Sequence, residues 1–122
     1  MLSVLLIEDE TLLRDQIRTG LVDAGYQVRD AESGSQGLRM FKNERPDFVV
    51  TDLVMDGGEG IESILAIRRT DPELPIVAIS GNPQYLHNSS QLGATYTLLK
   101  PFAIGQLLDI LVDTRPAVPA RG

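Results

Sequence analysis

A chain of 122 residues that is 43% hydrophobic is long enough for one compact domain with a real core. Its 11 basic against 17 acidic side chains leave a net charge of −6. That argues against general binding to nucleic-acid backbones or anionic membrane surfaces, which want clustered Lys and Arg, and the absence of cysteine removes disulfides, thiolate metal centres and cysteine nucleophiles.

The opening MLSVLLIEDE has an apolar run of a few residues ended by acids, too short for a signal-peptide core or a membrane span. A soluble cytoplasmic domain is the expectation. Ser3–Ile7 (SVLLI) reads as the first strand. Leu13, Ile17 and Leu21 then step by four along a first helix, which Gly25 ends as a glycine just past a helix C-cap. Residues 26–31 form a weaker strand, and Gly34, Leu38 and Phe41 line a second helix. The third strand is 47–51 (DFVVT), and Ile61, Ile64 and Leu65 mark a third helix. Asp71-Pro72 and Pro75 separate that helix from the fourth strand, 75–80 (PIVAIS), because proline and the residue before it disfavour helix. A fourth helix, about residues 84–92, is rich in Asn and Ser and poorly amphipathic. Tyr96–Leu99 is the fifth strand, and Ile104, Leu107, Leu108 and Leu111 give the last helix its stripe. Residues 1–114 are thus expected to form the domain, with 115–122 (RPAVPARG) a tail or the start of a linker.

Near-continuous apolar strands are buried on both faces, hence parallel. The order is (βα)5, and right-handed crossovers put helices on both sheet faces in a three-layer α/β sandwich. Ligands in such sheets bind beyond the carboxyl ends of the strands. Glu8, Asp9 and Glu10 follow the first strand, Asp52 the third, Ser80-Gly81 the fourth and Lys100-Pro101 the fifth. The second offers Ala31-Glu32 only, as an outer strand can. Clustered carboxylates need an offsetting cation, and an all-oxygen donor set suits magnesium or manganese better than zinc. A carboxylate can also attack phosphorus and carry a phosphoryl group; Lys100 and the metal would neutralise charge, Ser80 would donate a hydrogen bond, and Gly81 would leave space. Each element alone has an ordinary explanation, such as acids at a helix N-terminus. The combination at four strand ends carries the argument.

The series Glu8-Asp9, Asp52, Ser80-Gly81 and Lys100-Pro101-Phe102 resembles the response-regulator receiver family of two-component signalling, over roughly residues 2–114. The resemblance implies a flavodoxin-like sheet of order 2-1-3-4-5. It implies Asp52 as phosphoacceptor for a sensor histidine kinase or histidine phosphotransfer protein, and a metal site of Asp52 with the acidic pair Glu8 and Asp9, Asp9 holding the ion more directly than Glu8. It further implies the Val54 main-chain carbonyl as another ligand of Mg2+, Ser80 as switch hydroxyl, Lys100 as phosphoryl-binding lysine, and a cis Lys100-Pro101 bond. The surface of the fourth helix, fifth strand and fifth helix would then report to a protein or output domain outside this chain.

Two departures stand out. Asp56 occupies the family's usual proline position, and Thr97 the usual aromatic position three residues before the lysine. Tyr96, next door, should face the opposite side of the strand. The alternative is a magnesium-dependent phosphohydrolase with an Asp nucleophile, of the haloacid-dehalogenase type, but that family has a second Asp where Val54 stands. A plain flavodoxin-like binding module would need a hydroxyl-rich phosphate loop after the first strand. His87, in the weak helix, reads as a surface residue, Met55 as a packing residue, and Gly57-Gly58-Glu59-Gly60 as a flexible loop that lacks the Lys-Ser/Thr of a P-loop.

Overall fold

A computed structural model describes residues 1–53 and 59–114. Strands and helices alternate as β1 (Ser3–Ile7), α1 (Thr11–Asp23), β2 (Gln27–Ala31), α2 (Gly34–Asn43), β3 (Phe48–Asp52), α3 (Glu59–Thr70), β4 (Ile76–Ser80), α4 (Pro83–Leu92), β5 (Tyr96–Leu99) and α5 (Ile104–Asp113). The strands form one sheet, all neighbours parallel, in the order β2-β1-β3-β4-β5. This is the (βα)5 sandwich that the alternation implies. The expected tail at 115–122 lies outside the described residues.

Every residue of β1, β3 and β4 is buried, which is why these three read as the strongest apolar runs. Successive side chains serve opposite cores. Leu5, Ile7, Val49, Ile76 and Ala78 pack with Phe41, Ile64, Ile67 and Leu86 from α2, α3 and α4. Val4, Leu6, Val50, Val77 and Ile79 pack with Ile17, Leu21, Leu107 and Leu111 from α1 and α5. β2 and β5 lie at the edges and are only partly buried. Among the described residues no helix is long and apolar enough to cross a membrane.

Local signals explain the helix ends. Gly25 adopts φ +99, and the amides of Gly25 and Tyr26 donate to the carbonyls of Val22 and Leu21, a Schellman closure that glycine accommodates. α4 begins earlier than its pattern suggests. Asn82 caps it by accepting from the amides of Gln84 and Tyr85, with Pro83 in the first turn. Its buried residues are Leu86 and Ser89, the latter donating its hydroxyl to the Leu86 carbonyl. The far end of α4 is braced from α3: Arg68 donates to the Gly93 carbonyl at 2.7 Å and to Thr95 Oγ1 at 3.0 Å.

Three expectations change. Leu65 is 38% exposed and Ile67 is fully buried beside Ile64, so the inward stripe of α3 runs through 64 and 67 rather than 64 and 65. Ile104 is 36% exposed, and the deep part of the α5 stripe starts at Leu107. Gly60 belongs to α3 rather than to a loop.

Candidate functional site

Parallel strands point the same way, so their carboxyl ends share one rim. β1 ends at Ile7, and the Glu8 amide still donates to the Ala31 carbonyl of β2. This holds the Glu8 side chain at the carboxyl end of the interior strand β1, where it is 1% exposed. Asp9, one residue on, has left the sheet and is exposed. Asp52 is the last residue of β3, 3% exposed. One carboxylate oxygen from each of Glu8, Asp9 and Asp52 lies within 4.8 Å of the others. Lys100 follows β5, and its amide donates to the Ser80 carbonyl. Its Nζ reaches inward to 3.3 Å from Asp52 Oδ2 and 3.4 Å from Glu8 Oε1. The Lys100–Pro101 peptide bond is cis.

Three carboxylates thus share the rim with one ammonium. Burial, together with the charge of Asp52, pushes the Glu8 carboxyl up to about 7, against the opposing pull of the Glu10 amide and Lys100. Burial also pushes Lys100 downward, but the charges of Asp52 and Glu8 outweigh it and hold the ammonium above its ordinary value. A crowded, all-oxygen donor set of this kind, with Glu8 and Asp52 buried and Asp9 open to solvent, fits a hard divalent cation, which supplies the missing counter-charge.

Ser80 ends β4 fully buried, and its Oγ accepts from the Asn82 amide at 3.0 Å. A Cβ added at Gly81 would meet nothing within 4 Å, so the backbone there has room for more than glycine. The structure therefore gathers Glu8, Asp9, Asp52 and Lys100 and sets Ser80 on the same rim. Val54, Met55, Asp56, Gly57 and Gly58 lie outside the described residues. His87 is exposed on α4.

Thr97 pairs in register with Ala78, and Tyr96 with Val77. Those partners belong to opposite cores, so Thr97 faces the α4 side and Tyr96 the α5 side. Thr97 is exposed, and Tyr96 is 39% exposed.

Gly60, which the sequence pattern assigns to a flexible loop, packs tightly against β3. A Cβ there would lie 2.4 Å from the Asp52 carbonyl oxygen and 2.6 Å from Leu53 Cα. Glycine lets the first turn of α3 press directly on the backbone of Asp52. The available signal was a glycine eight residues beyond Asp52, at the start of a helical pattern.

Known proteins resemble this chain in sequence and fold. Residues 4–112 match the family described as response regulator receiver domain. The chain is 40% identical over 80 residues to the transcriptional regulatory protein AfsQ1 of Streptomyces coelicolor, covering 66% of this chain and 35% of that protein. It is 35% identical over 109 residues to the KDP operon transcriptional regulatory protein KdpE of Escherichia coli, covering 88% and 48%. The chain therefore spans less than half the length of these relatives. Among solved structures, the chemotaxis protein CheY4 of Vibrio cholerae superposes with a TM-score of 0.87 at 30% identity, covering 93% of this chain and 98% of that one. Family match, relatives and fold point the same way, and the chain belongs to the response-regulator receiver family of two-component signalling.

Proposed function

We propose that this chain accepts a phosphoryl group on Asp52 from a phosphohistidine of a sensor histidine kinase or phosphotransfer protein, in a magnesium-dependent reaction. The observation that carries the proposal is the buried Asp52 carboxylate, 3.3 Å from the Lys100 ammonium and beside the Glu8–Asp9 pair. Asp9 and Asp52 would hold the ion directly, with Glu8 behind them and the Val54 carbonyl assigned by resemblance alone. Bound there, Mg2+ supplies neutralisation of the non-bridging phosphoryl oxygens.

The chain's own groups do the rest. An Asp52 oxygen forms the new bond to phosphorus as the bond to the donor imidazole nitrogen breaks, and that nitrogen keeps the electron pair. Lys100 already lies against Asp52 and moves its positive charge onto a phosphoryl oxygen. The Ser80 Oγ accepts from Asn82, which leaves its own proton for donation to another phosphoryl oxygen. The product adds about −1.5 to −2 charge. Withdrawal of Ser80 from the Asn82 amide then acts on the cap of α4, a helix with little buried surface, and biases the α4–β5–α5 face toward a partner. We read residues 1–114 as the domain, 115–122 as a tail or linker, the location as cytoplasmic, and the output as a protein or domain outside this chain. The chain is a signalling receiver that catalyses its own phosphorylation and slow dephosphorylation rather than turnover of a substrate.

The test is incubation with acetyl phosphate and magnesium. The expected product carries one acid-labile, hydroxylamine-sensitive phosphoryl group per chain, lost in Asp52→Asn. Undiminished labelling of that variant would overturn the assignment. Sustained turnover of a generic phosphomonoester would point instead to a phosphohydrolase.

A further inference from the structure

Asp9 is the exposed member of the acidic cluster, so something other than burial must aim it. The side chain that does this lies one turn into α1. Arg14 Nη1 donates to the Glu8 carbonyl at 2.9 Å, while its Nε lies 3.4 Å from Asp30 Oδ2 on β2. Its own amide donates to the Glu10 carbonyl. The Arg14 side chain is 14% exposed, shielded compared with Arg18 at 40%, which also reaches Asp30. The guanidinium therefore bridges the edge strand and the corner between β1 and α1.

The carbonyl it holds belongs to the peptide unit joining Glu8 to Asp9. That unit is planar, so fixing its oxygen also fixes the Asp9 amide and Cα, and with them the direction in which the Asp9 carboxylate leaves the chain. The Glu10 amide bond to Glu8 Oε2 at 3.1 Å ties the next peptide to the buried acid. From these contacts we infer that Arg14, held in place by Asp30, is a positioning residue for the cation site, acting through the Glu8 carbonyl to set Asp9.

The inference rests on the metal-assisted reading above, and the sign of one measurement separates it from a trivial charge effect. A guanidinium near a cation site repels the cation, so removing it for its charge alone would tighten magnesium binding. Removing a brace that aims a ligand weakens binding, on the order of tenfold for groups that orient metal ligands. Lysine keeps the charge but lacks the rigid fork that serves two acceptors at once.

The experiment measures Mg2+ affinity by titration, following backbone amide shifts at residues 9–11, in wild type, Arg14→Ala and Arg14→Lys, with urea unfolding of each as a check on folding. Both variants are expected to bind Mg2+ about tenfold more weakly than wild type. Asp30→Asn, which keeps the bond to Glu8, is expected to lose less. An Arg14→Ala chain that binds Mg2+ as tightly as wild type, or more tightly, overturns the inference and leaves the metal site standing. A wild-type chain that binds no Mg2+ overturns both. If Arg14→Ala does not fold, Arg14→Lys decides: unchanged affinity there reduces Arg14 to a charge.

Discussion

Replacing Glu8 by Gln tests the electrostatic account of the rim. The native carboxyl titrates at about 7 rather than 4.5, so below pH 4.5 both native and unfolded chains keep the proton and the group has no effect on stability. As pH rises from 4.5 toward 7, the unfolded chain releases its proton while the native chain holds it, and stability falls. Above pH 7 the native carboxyl is ionised too and the whole penalty is present. At ~1.4 kcal/mol per pH unit it amounts to about 3 kcal/mol. Glu8 is 1% exposed, so solvent screening takes little from it. Glutamine is nearly the same size and its Oε1 still accepts from the Glu10 amide, but it carries no charge to repel Asp52. In EDTA, Glu8→Gln should therefore be more stable than wild type by up to about 3 kcal/mol at pH 8, with the gap closing toward pH 5. Saturating magnesium should narrow the pH 8 gap, because the cation supplies the counter-charge. Urea denaturation followed by circular dichroism at pH 5, 6, 7 and 8 reads the difference directly. A gap that does not change with pH, or a wild type more stable than the variant at pH 8, would show that the pairing with Lys100 fully compensates the burial of Glu8.

Asp9→Ala should weaken magnesium binding at least roughly tenfold, by analogy with the lesser loss seen on removing outer partners of metal ligands. The urea midpoint should stay unchanged or rise, because an exposed like charge is removed; unchanged metal affinity would refute its role as ligand. Gly60→Ala forces a methyl against the Asp52 backbone and should cost about 1–3 kcal/mol, as overpacking does, together with slower phosphorylation from acetyl phosphate. A variant with wild-type stability and rate would show that α3 shifts freely. Thr97→Ala removes an exposed side chain and should change stability by less than about 0.5 kcal/mol, with the labelling rate intact and affinity for an output partner altered by ~1 kcal/mol or less. A swing of Tyr96 toward Ser80 in a structure with a phosphoryl mimic bound would refute the strand register argued above.

Strand positions and the candidate residues at their ends were legible in the order of the residues because both obey local rules. A strand covered on two faces must be apolar along most of its length, as in Ser3–Ile7 and the run ending at Ser80. Candidate polar groups then stand where the apolar run stops, which singled out Glu8, Asp52, Ser80 and Lys100. Edge strands announce themselves less clearly, since half of each is wet. The helix α4 was faint for the same reason: it buries little, and its signal lay in the Asn82-Pro83 start rather than in a stripe.

Other features come from contacts that no spacing encodes. Glu8 and Asp9 are adjacent acids, yet one is buried at the carboxyl end of β1 and the other is exposed, because β2 pairs with the Glu8 amide and the chain turns away immediately after. The inward choice of Ile67 over Leu65 depends on how α3 rolls against β3 and β4. Gly60 matters because the first turn of α3 lies on the backbone of Asp52. The reach of Arg14 to Glu8 and Asp30 depends on β2 lying beside β1. Periodicity and punctuation are properties of neighbouring residues, so the chain order carries them. Burial of one acid over another, a helix roll and a bridge between separate elements depend on which segments meet, and the tertiary packing alone decides that.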